Sequence, residues 1–172
     1  MNLAKERKSI YVALDKYRAW LDTIPDEQFT ETPKGGGWSF AEVYSHIMQA
    51  TLGSTIALER CTSNNCHPTT ERTNFLGKFV MLFGRFPIRV KVPEKVAARM
   101  PVVKLSKEEA KNLIVKCRKR LDDTLAAVKD ADPGSRHKHP RLGMLNAAQW
   151  LKFIRIHLQH HLKQLRRIRK KF

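Results

Sequence analysis

Four stretches of this chain repeat apolar residues every three or four positions, which is the spacing of one face of an α-helix. The first covers about residues 3–23, the second 39–61 and the third 106–128, and the last begins near Asn146. No stretch of useful length alternates apolar and polar residues in the way that a half-buried strand does. The pattern therefore predicts an all-α fold, a four-helix bundle with one long crossover between the second and third helices.

Local signals mark the ends of these helices. Ser39 with Glu42, and Ser106 with Glu109, have the spacing of a capping box, in which the first residue and the third helical residue bond each other's amides. The turn sequence at 132–134 (DPG) is predicted to stop the third helix. Three of the four boundaries on the middle helices are thus set by local chemistry.

The crossover runs from about residue 61 to residue 104, where four prolines break the apolar repeat. Within it, only the range 74–83 is predicted to form a short helix. The whole chain has 172 residues and 42% apolar residues, which suits one globular domain over residues 1–172.

The net charge of +17 is concentrated in the second part of the chain. Residues 1–60 hold 7 basic and 8 acidic side chains, whereas residues 61–172 hold 26 and 8, and the end of the last helix is strongly basic. Such asymmetry is typical of proteins that meet a polyanion or an anionic membrane surface. Cations at the end of a helix also stabilise its last carbonyls, and no nucleic-acid-binding motif is present. Binding of nucleic acid or of an acidic partner stays open as an alternative function.

The location predicted from the sequence is cytoplasmic. The N-terminus interleaves charged and apolar residues, unlike a signal peptide, and no apolar stretch approaches the roughly 20 residues that span a membrane. The three cysteines, Cys61, Cys66 and Cys117, are an odd number, and two of them are only five residues apart. A disulfide framework is a poor interpretation of that pattern, so reduced thiols are expected.

Three histidines have positions suited to one metal ion. His157 and His161 lie four residues apart in the last predicted helix, which places them about 40° apart on one side of it. A pair at this spacing also arises by chance, and a histidine near an apolar face is more often a core residue than a ligand. His46 borders the inner face of the second helix, and three buried imidazoles without partners would be costly. His46, His157 and His161 are therefore the predicted metal ligands, with one coordination position left open as in catalytic sites.

The remaining candidates are weaker. His160 points about 60° further from the apolar stripe than His157 and is predicted to lie at the rim rather than to bind the ion. His67, His137 and His139 fall in predicted loops. Glu42 is the only acidic residue within a turn of the three ligands, and it is assigned to the helix cap. No catalytic base is named, and the catalytic residues stay unknown.

Two sequence motifs resemble those of the DinB-like superfamily, a group of metal-dependent enzymes with a four-helix bundle that includes thiol S-transferases. The first is GWSFAEVYSHI at residues 37–47, and the second joins LNAAQW at 145–150 to HLQHHLKQ at 157–164. Their order and separation also match. The resemblance extends from the first helix to Leu165, while the basic end of the last helix departs from it.

The resemblance implies a fold, a site and a range of activities. It places His46, His157 and His161 at the three ligand positions and implies a divalent ion, with zinc or nickel preferred. It implies an enzyme that either transfers a low-molecular-weight thiol to an electrophile or hydrolyses a small substrate, and a homodimer that forms through helix faces. A non-catalytic metal-binding bundle is the further alternative.

Overall fold

The computed structural model describes residues 2–87 and 101–172. Most of these residues are helical, and the α-helices are α1 (Leu3–Thr23), α2 (Asp26–Thr30), α3 (Phe40–Thr62), α4 (Phe75–Phe83), α5 (Lys107–Leu125) and α6 (Ala147–Arg169). Strands β1 (Arg136–His139) and β2 (Gly143–Asn146) form an antiparallel hairpin between α5 and α6. The long helices α1, α3, α5 and α6 confirm the predicted bundle, and part of the crossover, 88–100, lies outside the described residues.

The predicted helix starts are confirmed by their hydrogen bonds. Ser39 and Ser106 each form a complete capping box with the glutamate three residues later. Asn146 forms a third box with Gln149 at the start of α6. Each box satisfies end amides that would otherwise lack partners, which fixes where the helix begins.

Two segments outside the predicted helices turn out to be regular structure. Residues 26–30 form α2, because Phe29 packs against Tyr44 in the core and holds this turn in place. His137 and His139, predicted to lie in a loop, belong to β1. The strands are only four residues long and carry no alternating pattern, so the sequence gives no strand signal there.

The third long helix ends earlier than the turn sequence at 132–134 predicts. Helix α5 stops at Leu125, and residues 126–129 continue as a 3-10 turn. Val128 of this turn is buried, so the apolar repeat persists although the hydrogen-bond pattern tightens.

The four long helices occupy the corners of a square in which α1 and α3 are diagonal to each other and α5 and α6 are diagonal as well. Helix α5 runs against α1, since Asp22 near the end of α1 pairs with Lys111 near the start of α5, and Asp15 pairs with Arg118. Each long helix therefore packs on the two helices at its adjacent corners.

Helix α6 runs in the same direction as α1. Glu6 in the first turn of α1 forms an ion pair with Arg155 in the third turn of α6, and Arg169 at the end of α6 donates to the carbonyl of Thr23 at the end of α1. Their N-terminal ends therefore lie at the same end of the bundle.

Helix α3 runs against α6, because His46 near its start lies beside His161 and Cys61 near its end lies beside Leu145, which precedes α6. It follows that α3 and α5 run in the same direction. The chain must return along the length of the bundle between them, and this requirement explains the long crossover.

Two buried tyrosines fix the centre of the bundle. Tyr17 of α1 and Tyr44 of α3 meet edge to face across the diagonal, with ring centroids 5.5 Å apart. The Tyr44 hydroxyl donates to the Tyr17 carbonyl at 2.8 Å, and the Tyr17 hydroxyl donates to the Leu158 carbonyl at 2.8 Å. Buried hydroxyls without partners would cost about 1–3 kcal/mol each, so these bonds set the relative position of α1, α3 and α6.

Candidate metal centre

The three predicted ligand histidines lie together between α3 and α6. His46 lies in the second turn of α3, and His157 and His161 lie one turn apart in α6. One ring nitrogen from each lies within 4.8 Å of the others, and His157 Nε2 is 3.1 Å from His161 Nε2. Within residues 2–87 and 101–172, this is the one group of three or more histidine, cysteine or acidic side chains close enough to share an ion.

The spacing of these nitrogens fits a shared divalent ion. Zinc binds histidine nitrogen at about 2.0–2.1 Å, so two nitrogens at tetrahedral angles around it lie about 3.3 Å apart. The 3.1 Å between the Nε2 atoms of His157 and His161 is close to this value. Three neutral nitrogens also match the donor set of catalytic zinc sites, which keep a fourth position for water or substrate.

Burial keeps all three imidazoles uncharged near neutral pH. His161 is 7% exposed, and burial lowers its pKa to about 3, with His46 and His160 adding to the effect. Burial and the neighbouring His160 lower the pKa of His46 to about 4. Burial and the other two imidazoles lower the pKa of His157 well below its usual value. A metal needs the deprotonated ring nitrogen, and this environment supplies it.

Gln164 orients one of the three rings. Its Oε1 atom lies 2.7 Å from Nδ1 of His161. Because an amide oxygen can only accept, Nδ1 carries the proton and Nε2 keeps its lone pair directed at the other histidines. Partners of this kind fix the tautomer of ligand histidines. No role is predicted for Gln164 from the sequence, although its position three residues after His161 places both on one helix face.

Aromatic rings enclose the histidines on several sides. Trp38 packs on His46 with ring centroids 5.1 Å apart, and Phe153 stacks on His157 at 5.1 Å. Phe86, which follows α4, approaches His157 edge-on at 6.1 Å. This wall limits the access of water, which strengthens electrostatic interactions inside the site. Phe153 has a sequence signal, four residues before His157, whereas nothing in the crossover sequence indicates Phe86.

The other histidines lie outside the cluster. His160 is half-buried and packs against Phe86, with its ring 5.2 Å from that of His161. His139 is held in the hairpin, where its Nδ1 accepts hydrogen bonds from the amides of Arg141 and Leu142 at 3.1 Å. Its ring packs on Phe153 at 4.4 Å. His139 therefore supports the wall behind His157, a role that its predicted loop position did not suggest.

The nearest carboxylate in the sequence is engaged elsewhere. Glu42 Oε2 accepts hydrogen bonds from the Ser39 amide and hydroxyl, both at 2.8 Å. Its assignment to the helix cap is confirmed, and in the described ranges no acidic side chain joins the three histidines.

The fold and this cluster define a class, four-helix bundles that carry convergent histidines between two of their helices. Residues 10–165 match the family model of the DinB superfamily. The match covers most of the chain, and the chain therefore belongs to the DinB superfamily. No protein of curated function matches its sequence significantly.

Solved structures share the fold at low sequence identity. The chain is similar to TT2238, a four-helix bundle protein (20% identity, TM-score 0.62, 96% of this chain and 98% of that one). It is similar to YfiT from Bacillus subtilis, described as a probable metal-dependent hydrolase with an unusual four-helix bundle topology (14%, 0.65, 98% and 86%). It is also similar to the mycothiol-dependent maleylpyruvate isomerase (13%, 0.62, 94% and 60%). At these identities the likeness establishes the fold alone.

Proposed function

We propose that this protein is a divalent-metal-dependent enzyme whose ion is held by His46, His157 and His161. The convergence of three uncharged imidazoles, one of them oriented by Gln164, is the observation that carries the proposal. Zinc and nickel are the preferred ions, because both accept imidazole nitrogen readily.

The residues around the cluster have separate tasks in this proposal. His46 comes from one helix and the other two histidines from another, so the Tyr17 and Tyr44 bonds that fix these helices also fix the donor atoms. A divalent ion held there would lower the pKa of a water or thiol and so supply a nucleophile at neutral pH. Trp38, Phe86 and Phe153 exclude bulk water from the reacting groups.

The proposed substrate is small, and the reaction is either hydrolysis or transfer of a low-molecular-weight thiol. Two of the similar structures support these alternatives, since one is described as a probable hydrolase and another as a thiol-dependent isomerase. No acidic side chain of the described residues lies in the cluster to act as a general base. Both reactions are compatible with that donor set, because the nucleophile would be generated at the ion.

Elemental analysis of protein purified without a histidine tag tests the proposal. We expect about one equivalent of a divalent ion per chain, and turnover with either a thiol plus an electrophile or a hydrolysable ester or amide. Protein without any bound divalent ion, and unable to bind added zinc or nickel, would contradict the site. A bound ion without turnover of either substrate class would favour the non-catalytic metal-binding bundle.

The contacts of the basic residues at the end of α6 do not favour binding of nucleic acid or of an acidic partner as a second function. At the end of α6, Arg169 donates to Thr23 and packs over the Trp20 ring, and Lys171 donates to the Gly36 carbonyl at 3.1 Å. These cations therefore hold the end of the last helix against the end of α1 and against the loop that contains Gly36. Among the described helices, none is long and apolar enough to cross a membrane. The homodimer, the cytoplasmic location and the single domain stay predictions.

A further inference from the structure

Two thiols meet at the far end of α3 from His46. The sulfur atoms of Cys61 and Cys66 are 3.7 Å apart, and the Cys66 thiol donates to the Cys61 sulfur. The Cys61 thiol in turn donates to the carbonyl of Leu145 at 3.6 Å. Both cysteines are free thiols in this structure, and nothing in the candidate metal centre uses them.

The turn that ends α3 creates this pair. Asn64 adopts a left-handed conformation with φ of 52°, and the Asn65 amide donates to the Arg60 carbonyl at 2.9 Å. This is the 6→1 hydrogen bond of a Schellman turn, which reverses the chain just after a helix. The reversal returns Cys66 to the last turn of the helix, beside Cys61.

The two sulfur atoms differ in access. Cys61 is fully buried, whereas Cys66 is half-buried and can be reached from solvent. In the described part of the chain, no third histidine, cysteine or carboxylate joins them closely enough to complete a metal site. One accessible thiol with a second thiol directly behind it is suited to disulfide chemistry rather than to metal binding.

We propose that Cys61 and Cys66 form a redox-reactive dithiol that is oxidised reversibly by a low-molecular-weight disulfide. The Cys66 thiolate attacks one sulfur of that disulfide, whose S–S bond breaks and releases the first thiol. Cys61, as its thiolate, then attacks the Cys66 sulfur, forms the Cys61–Cys66 bond and releases the second thiol. The protein loses two electrons and two protons, and the disulfide becomes two thiols, so the exchange is balanced.

The surroundings favour this order of attack. Burial and the adjacent Cys66 raise the pKa of Cys61 to about 12, so Cys61 is a poor first nucleophile. Bond formation needs the sulfur atoms to close from 3.7 Å to about 2.05 Å. The turn at 63–65 is exposed, which allows it to shift by that amount. The hydrogen bond from the Cys61 thiol to the Leu145 carbonyl is lost on oxidation. This loss opposes formation of the disulfide and helps to keep it reducible.

The test equilibrates the full chain in glutathione buffers from fully reduced to fully oxidised, then denatures it in acid and alkylates the remaining thiols. Trypsin cleaves after Arg60 and Arg72, so one peptide carries both cysteines, while Cys117 lies in another. We expect that peptide to lose two hydrogen atoms and both alkylation sites, with full recovery after dithiothreitol. One alkylated thiol of three, Cys117, should remain in the oxidised protein.

Three variants distinguish the proposed steps. Cys117→Ser is the matched control, and its Cys61–Cys66 peptide should oxidise at the same glutathione ratio as in the wild type. Cys61→Ser should accumulate a stable mixed disulfide with glutathione on Cys66, and Cys66→Ser should keep its other two thiols. Cys66 is half-buried, so Cys66→Ser keeps the test valid if Cys61→Ser fails to fold.

Several results would overturn the proposal. They are a peptide that stays fully alkylated in oxidised glutathione, a mixed disulfide that persists on Cys66 of the wild type, and a disulfide that links two chains. The proposal does not depend on the metal centre, and its outcome is independent of whether an ion is bound.

Discussion

Reactive side chains come together at two places along α3, once between α3 and α6 near the start of α3 and once in the turn at its end. At the first place three imidazoles from two helices converge, and Gln164 holds one of them by a hydrogen bond. At the second place two thiols from the same turn of chain face each other, and the Cys61 thiol also donates to the backbone carbonyl of Leu145. The number of converging donors therefore differs, and with it the chemistry that each place supports.

The difference also concerns how each group is held. The histidines lie within long helices that the buried tyrosines fix, so their separation is set by the packing of the bundle. The thiols depend on one exposed turn after α3, which leaves room for a small movement. A preorganised donor set favours an ion, whereas an adjustable pair favours formation and breakage of a bond.

The largest expected effect is loss of the ion when one ligand is removed. His161→Ala should bind no detectable zinc or nickel under conditions in which the wild type binds about one equivalent, because two nitrogens seldom hold a divalent ion alone. Isothermal titration of metal-free protein measures this. His160→Ala is the matched control on the same helix and should bind as the wild type does, and equal loss in both variants would argue against the assigned ligand set.

Removal of the ion should destabilise the fold by a smaller but easily measured amount. At a free ion concentration of about 1,000 times Kd, binding stabilises the folded state by about 4 kcal/mol. For a chain of this size, that corresponds to a loss of roughly 8–16 °C in Tm on chelation. Differential scanning calorimetry with and without a chelator checks it. The His161→Ala protein should show no such shift, and a shift that survives this substitution would point to a different site.

Loss of the orienting hydrogen bond should weaken binding without abolishing it. Gln164→Ala frees the His161 ring to adopt the other tautomer, and substitutions of such partners typically cost about 10–100-fold in metal affinity. The comparison is with Gln159→Ala, whose side chain bonds Arg155 rather than a ligand. Equal affinities of these two variants would show that the bond to His161 does not orient the ligand.

The metal-free protein should lose stability in mild acid. The pKa values of His46 and His161 are lowered to about 4 and about 3, below the value of about 6.5 expected in the unfolded chain. Below pH of about 6.5 the unfolded state binds more protons than the folded state does, so the free energy of unfolding falls as pH decreases. The effect of His161 alone approaches about 1.4 kcal/mol per pH unit. Urea unfolding at several pH values measures the slope, which should be shallower in His161→Gln.

The sequence predicts the histidine cluster far better than the pair of thiols. Capping boxes and apolar repeats are local signals, and they give the starts of α3, α5 and α6 correctly. Helical phase then places His157 and His161 on one side, and His46 on the facing helix. These relations depend on regular geometry, which sequence spacing reports directly.

What the sequence does not predict depends on tertiary contacts. Phe86 comes from the crossover and reaches His157 only because α4 lies beside α6. The hairpin that holds His139 has no alternating pattern, and it forms through pairing between β1 and β2. A spacing of five residues gives no indication that Cys61 and Cys66 are close in space. They meet because the left-handed conformation of Asn64 reverses the chain between them.

The smallest expected effect tests whether the two ends of α3 are independent. Fifteen residues separate His46 from Cys61, which is about 22 Å along a helix. Sites further apart than about 7–10 Å without shared partners act additively, so Cys66→Ser should leave metal affinity within about twofold of the wild type. The same should hold for wild-type protein oxidised at the pair. A larger change, measured by the same titration, would mean that movement of the turn after α3 is transmitted along the helix to His46, and the two places would then form one coupled unit.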